Sequence, residues 1–258
     1  MFDRSARMIQ IKTPEQIGRM RAAGVVVAGA LAQMRAAVAP DVTTRDLDAI
    51  ANRWITAAGA RPSFLGYQGF PATICASVND QIVHGFPTDD PLRDGDVVSL
   101  DCGAVLDGWH GDAAITVAVG DVEPEITELM RVTEQSMWRG IAAARAGGRL
   151  SDIGHAVEAY VRSQGRYGLV REYGGHGIGT EMHQDPHVLN HGRPGRGPVL
   201  REGMALAIEP MVTLGRARTR VLDDEWTVVT SDGSLSAHFE HSIAITSDGP
   251  IVLTAPPD

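Results

Sequence analysis

Residues 97–119 alternate or run apolar on either side of Asp107-Gly108, the strongest short-range signal for a β-hairpin. That pairing constrains the chain most, because two aspartates fall inside it. With Asp107-Gly108 as a two-residue turn, Leu106 faces Trp109, Gly103 faces Asp112 and Asp101 faces Ala114. Side chains alternate with period two, so Asp101 and Asp112 share one face as diagonal neighbours, Cα atoms roughly 7–8 Å apart and carboxylates able to converge. Gly103, lacking a side chain, leaves room between them. Two carboxylates on an apolar face repel each other and lose hydration unless a cation or a proton compensates. A metal ion is the obvious compensator; projection of both into solvent is the alternative that an isolated pair favours.

Further residues shift that balance. Glu209 sits inside Ala205-Leu206-Ala207-Ile208-Glu209-Pro210-Met211-Val212, and Glu240 inside Phe239-Glu240-His241-Ser242-Ile243-Ala244-Ile245. Charges in such runs are rarely buried without partners. His176 stands in Gly174-Gly175-His176-Gly177-Ile178-Gly179, where glycines let the backbone approach a ligand closely; alone, it would read as a satisfied loop histidine. Four carboxylates and one histidine make a hard, oxygen-rich set. It suits two divalent ions bridged by carboxylates and water, not a structural zinc, which prefers cysteine. The count fits a two-metal hydrolase.

The rest of the chain bounds the setting. Its 258 residues, 43% hydrophobic and 21% charged, suffice for one large domain with a core of its own. No linker or low-complexity segment divides it, so residues 1–258 are expected to form a single catalytic domain with a short N-terminal extension over about 1–12. With 32 acidic against 23 basic residues, net charge -9, a protein coating nucleic acid by general attraction is excluded. Cys75 and Cys102 are too few for a disulfide framework, and neither a signal peptide nor a bilayer-spanning stretch is visible; a cytoplasmic place is expected. Lys12 is the one lysine, which removes a GxxxxGK[ST] phosphate loop.

Thr13-Pro14-Glu15-Gln16 predicts a capping-box helix running to about Ala36. A second follows Thr44, with Leu47, Ile50 and Trp54 on one face until Gly59. A short β-prone run, Ala72 to Val78, precedes the hairpin. Helical stretches at about 124–145 and 151–164 and strands at about 203–213, 224–230 and 235–246 repeat the order. Helix, helix, strands, repeated, predicts an α+β protein whose two halves face each other across one sheet.

Six motifs, Asn79-Asp80-Gln81-Ile82-Val83-His84-Gly85, Asp101-Cys102-Gly103, His110-Gly111-Asp112, Gly175-His176-Gly177-Ile178-Gly179, Ile208-Glu209-Pro210 and Phe239-Glu240-His241, run in order along the chain. On these, from about Thr13 to Leu253, it resembles the type I methionine aminopeptidases of the pita-bread metallopeptidase family, in their short bacterial form. The resemblance implies two pseudo-symmetric halves with an antiparallel β-sheet covered by helices. It implies that Asp101 chelates one metal, that Asp112 and Glu240 bridge both, and that His176 and Glu209 complete the other metal's shell. It also implies removal of the initiator methionine from nascent proteins whose second residue is small, through a water made acidic by two divalent ions.

Within that resemblance Glu209 is the proton shuttle, and His84 and His183 stand near the scissile nitrogen and carbonyl oxygen. Phe64, Tyr67, Phe70, Cys75, Met182, Met211 and Trp226 form the methionine pocket. Phe64 stands where many members have a small residue or cysteine, and Met182 where phenylalanine is frequent. Tyr67 and Trp226 read equally as core aromatics. Asn79 and Ser236 match positions framing a monovalent cation in some relatives. Arg216, Arg218 and Arg220 read as a solvated loop, or as a contact with ribosomal RNA. His110, His155, His187, His191, His238 and His241 read as structural. An oxygen-rich site with one histidine accepts Mn, Fe, Co or Zn. A monomer without membrane or specific DNA binding is expected. The alternatives are another pita-bread peptidase, prolidase or aminopeptidase P, and a non-catalytic adaptor. The first pair usually carry a large additional N-terminal domain, whereas about 70 residues precede the first metal-site motifs here.

Overall fold

Thr13 opens the first helix by reciprocal capping: Gln16 N–H donates to Thr13 Oγ1 at 3.3 Å, and Thr13 N–H donates to Gln16 Oε1 at 2.9 Å. The computed structural model describes residues 9–256, so residues 1–8 of the expected N-terminal extension lie outside the described residues. In chain order the elements are α1 (Pro14–Ala37), α2 (Thr44–Ala57), β1 (Arg61–Pro62), β2 (Ile74–Val78), β3 (Gln81–Val83), β4 (Val97–Leu106) and β5 (Trp109–Ala118). Then come α3 (Pro124–Ala143), α4 (Leu150–Gln164), β6 (Gly168–Leu169), β7 (Gly175–Gly177), β8 (Gln184–Val188), β9 (Ala205–Ile208) and β10 (Met211–Thr213). The chain closes with β11 (Thr219–Val221), β12 (Val228–Thr230), β13 (Ser236–His238), β14 (Glu240–Thr246) and β15 (Gly249–Val252).

The second helix buries Leu47, Ala51 and Ile55. Trp54, expected on that face, is 40% exposed, its indole N–H donating instead to Val26 O on α1 at 3.1 Å. One core packs α1 and α2 on β2 and β4 through Leu31, Met34, Leu47, Ile55 and Leu100. A second packs α3 and α4 through Leu129, Met137, Ile153, Leu206 and Ile243. The repeat read along the sequence is therefore two helix pairs, each packed on an apolar core of its own.

The hairpin has the expected register, Leu106↔Trp109, Gly103↔Asp112 and Asp101↔Ala114. Asp107 and Gly108 both take positive φ, 48° and 80°, as a turn matched to strand twist requires. The two halves meet across one nine-stranded sheet with the path β1-β4-β5-β14-β9-β7-β8, plus β2 on β4 and β15 on β14; among the described residues two three-stranded sheets, β13-β10-β6 and β11-β12-β3, accompany it. The expected strand bounds are corrected: the runs at 203–213 and 235–246 are each cut in two. Pro210 cannot donate to a ladder, so the chain leaves the large sheet after β9 and enters a small one at β10. It makes the reverse move at Phe239, between β13 and β14. The run at 224–230 shortens to Val228–Thr230, because Trp226 and Thr227 N–H groups close a turn on Asp224. Among the described residues no helix is long and apolar enough to cross a membrane.

Candidate metal centre

The register of the large sheet aligns the carboxylates. Asp101 faces Ala114 on β5, and Ala114 faces Glu240 on β14, so Asp101 and Glu240 point to one side, with Asp112 two residues from Ala114 pointing the same way. Ile208 pairs with His241; one step further along that register, Glu209 comes opposite Glu240 at the place where the chain changes sheets. Cys75, paired with Asp101, adds an apolar wall on the same face. His176 arrives from β7.

Asp101, Asp112, His176, Glu209 and Glu240 all line one cavity of about 200 Å³. His176 Nε2 lies 3.6 Å from Glu209 Oε1 and 4.0 Å from Asp112 Oδ2. Its Nδ1 is 3.0 Å from Gly177 O; a proton on Nδ1 for that bond leaves the Nε2 lone pair facing the carboxylates. Burial, with help from the neighbouring His183, lowers the His176 pKa to about 3, so the ring is neutral.

The carboxylates are short of partners. Asp101 Oδ1, Asp112 Oδ1 and Glu240 Oε1 are buried without any hydrogen bond. Burial raises the Asp101 pKa to about 7. Burial, and then the charges of Glu240 and Asp101, push Asp112 well above the usual carboxylate range. Burial first and neighbouring carboxylates second do the same to Glu209 and Glu240. Orphaned oxygens at such density call for cations. Two groups of donors, Asp112/His176/Glu240 and Glu209/His238/Glu240, each have ligand atoms within 4.8 Å of one another, and they share Glu240. Hard oxygens with one or two imidazole nitrogens suit divalent ions, and the residues present fit them.

Beside the carboxylates the same cavity is apolar: Phe64, Tyr67, Phe70, Cys75, Met182 and Trp226 line it. Phe70 touches Phe64 edge-on at 6.4 Å between centroids and Trp226 at 5.1 Å. Met211, expected with them, lines an adjoining cavity of about 350 Å³ together with His84, His176, His183 and Glu209. It packs among Ile82, Val83 and Val228, because β10 has already left for the small sheet. The space above Gly103, expected to lie open, is filled: a Cβ there would meet Ser63 Cβ at 2.8 Å and Phe64 Cε1 at 2.9 Å.

His84 and His183 line both cavities. Tyr67 Oη is 2.8 Å from His183 Nδ1. Burial, and then His183, lowers the His84 pKa to about 4, and burial lowers that of His183. Asn79 and Ser236 are adjacent, Ser236 N–H donating to Asn79 O at 2.9 Å. Asn79's own amide is engaged by Asp96 Oδ1 and Val97 N–H. Arg216, Arg218 and Arg220 are exposed. His238, read from sequence as structural, is the residue that reading missed: its Nε2 is 3.7 Å from Glu209 Oε2. Its sequence neighbour Glu240 was the only available signal, since the pairing of Met211 with His238 that brings Glu209 close is long-range.

The profile of "Metallopeptidase family M24" matches residues 18–247, and the chain belongs to that family. A curated relative named "Methionine aminopeptidase 1", from Mycobacterium tuberculosis, is 53% identical over 257 residues, covering 97% of each chain. The crystal structure of methionine aminopeptidase from Rickettsia prowazekii superposes with TM-score 0.94 at 44% identity, covering 96% of this chain and 100% of that one. The pita-bread fold is shared more widely. Prolidase from Pyrococcus furiosus matches with TM-score 0.76 at 21% identity, covering 96% of this chain and 66% of that one.

Proposed function

We propose that this chain is a methionine aminopeptidase that releases the amino-terminal methionine of nascent proteins whose second residue is small. The observation that carries this reading is one cavity with two characters: an apolar end walled by Phe64, Phe70, Cys75, Met182 and Trp226, and an end made of Asp101, Asp112, His176, Glu209 and Glu240. The apolar end suits an unbranched thioether side chain, and burying it holds the first peptide bond beside the carboxylates. Identity of 53% to the mycobacterial and 44% to the Rickettsia methionine aminopeptidase supports this specificity over Xaa-Pro cleavage.

Asp101, Asp112, His176, Glu209 and Glu240 would hold two divalent ions. When bound, the ions would lower the pKa of a water toward about 7 and polarise the scissile carbonyl. The remaining steps belong to the protein. Glu209 takes the proton of the attacking water and returns it to the leaving nitrogen. Tyr67, donating to His183 Nδ1, keeps the proton of the neutral imidazole on Nε2, from which it stabilises the carbonyl oxygen as negative charge develops. His84, neutral through burial, faces the leaving nitrogen. A monovalent cation beside Asn79 and Ser236 would brace the strands behind the site.

The test is a peptide panel with chelator-stripped protein and added Mn²⁺ or Co²⁺. Methionine release from Met-Ala-Ser, with none from Xaa-Pro peptides, is the expected result. Preference for Xaa-Pro, or no turnover with metal bound, would overturn the assignment.

A further inference from the structure

Glu209 stands between two imidazoles. His176 Nε2 lies 3.6 Å from Oε1, and His238 Nε2 lies 3.7 Å from Oε2. The first ring belongs to the five residues expected to hold metal; the second does not. His238 ends β13 opposite Met211. Thr116 Oγ1 pins its backbone twice, accepting from His238 N–H at 2.8 Å and donating to His238 O at 2.8 Å. The residue is 1% exposed, and Nε2 has no hydrogen-bond partner. An unpaired polar group in such a place is costly, and the acceptor facing it is Glu209 Oε2. That 3.7 Å separation exceeds a charge-assisted bond of about 2.7–2.9 Å by roughly 1 Å.

We propose that His238 is a positioning residue of the metal centre, its Nε2–H donating to Glu209 Oε2 and thereby turning Oε1 toward His176 and the cations. The proposal rests on the metallopeptidase reading and deepens it. With Oε2 held, Glu209 presents one oxygen in a fixed direction. Without the bond, the carboxylate swings and its pairing with His176 around a shared ion is lost. Partners of this kind around metal-ligating carboxylates are worth about 10–100-fold in metal affinity.

The test titrates chelator-stripped protein with Mn²⁺ by calorimetry, comparing wild type with His238→Leu, His238→Gln and His238→Asn, with folding checked by circular dichroism. A glutamine amide reaches the position of the imidazole Nε2, whereas an asparagine amide reaches only that of Nδ1. The leucine and asparagine variants are expected to weaken binding about 10–100-fold, and the glutamine variant to stay within about threefold of wild type. Should the leucine variant not fold, the contrast between glutamine and asparagine carries the same decision. Wild-type affinity in the leucine variant would overturn the role. So would a glutamine variant as weak as asparagine, and loss of a nitrogen donor from the Co²⁺ absorption spectrum of the glutamine variant would then mark His238 as a direct ligand. A wild-type protein that binds no Mn²⁺ would instead overturn the metallopeptidase reading itself.

Discussion

Asp101 on β4 and Glu240 on β14 flank the same residue, Ala114 on β5, so three antiparallel strands place two carboxylates from opposite halves of the chain on one face. Asp112, two residues from Ala114, joins them, and its Oδ1 has no hydrogen-bond partner. The metal-free protein therefore carries a buried concentration of negative charge that the folded state tolerates poorly.

Replacing Asp112 with asparagine should act in opposite directions with and without metal. In chelator-stripped protein at pH 8, Asp112→Asn removes a buried carboxyl group crowded by Asp101 and Glu240 and is expected to raise stability by about 1–3 kcal/mol. With Mn²⁺ it is expected to gain little stability and to lose methionine release by a hundredfold or more. Thermal melts and turnover on Met-Ala-Ser check both halves; a variant that keeps activity breaks the assignment of this residue.

Proton and metal compete for the same oxygens. Burial raises the pKa of Asp101 to about 7, against about 3.9 in an unfolded chain. The metal-free native state thus binds a proton that the unfolded state has lost between those values, and this contribution to stability is complete below about pH 3.9 and gone above about pH 7. Metal takes the proton's place. The gap in Tm between Mn²⁺-loaded and stripped protein is expected to widen from pH 5 to pH 8, and a gap independent of pH would speak against the cluster.

Lys12 gives a second pH signal, away from the metal centre. It is buried, its Nζ donates to Gln184 Oε1 at 3.1 Å and Gln10 O at 3.3 Å, and burial lowers its pKa to about 8. The unfolded chain keeps that proton to about pH 10.4, so the contribution is present above that pH and is lost as pH falls through about 8. Lys12→Met is expected to be more stable than wild type at pH 7, by up to about 3 kcal/mol, with the difference vanishing near pH 10.5. Chemical denaturation at the two pH values measures it. The side chain also ties the residues before α1 to Gln184, the neighbour of His183, so a modest rise in KM should accompany the change.

Gly103 separates structure from chemistry in the pocket. A methyl group there would press on Ser63 and Phe64, and overpacking of this kind costs about 1–3 kcal/mol. Gly103→Ala is expected to raise KM for methionyl peptides about tenfold while metal affinity is kept. An unchanged KM would show that Phe64 is not a wall of the methionine site.

Much of this was legible in the sequence, for reasons that differ by residue. The hairpin register follows from Asp107-Gly108 and the period of two, and the start of α1 from Thr13 and Gln16, whose side chains bond the helix's own first turn. The breaks at Pro210 and Phe239 were not legible as changes of sheet, because an apolar run looks the same whether its hydrogen bonds go to one partner or two. Met211 therefore lines the adjoining cavity, and His238 was overlooked because nothing local shows that β13 runs beside β10. The two breaks fall next to Glu209 and Glu240, so the chain changes sheets where it supplies two of its carboxylates.

The account stands on five side chains sharing two cations, and metal stoichiometry measured alongside turnover tests this most directly. Chelator-stripped protein is titrated with Mn²⁺ while bound metal per chain and methionine release from Met-Ala-Ser are followed together. The expected result is no release without metal, release that grows as ions bind, and saturation at two per chain. Methionine release by the metal-free protein, or saturation without any bound ion, would contradict it.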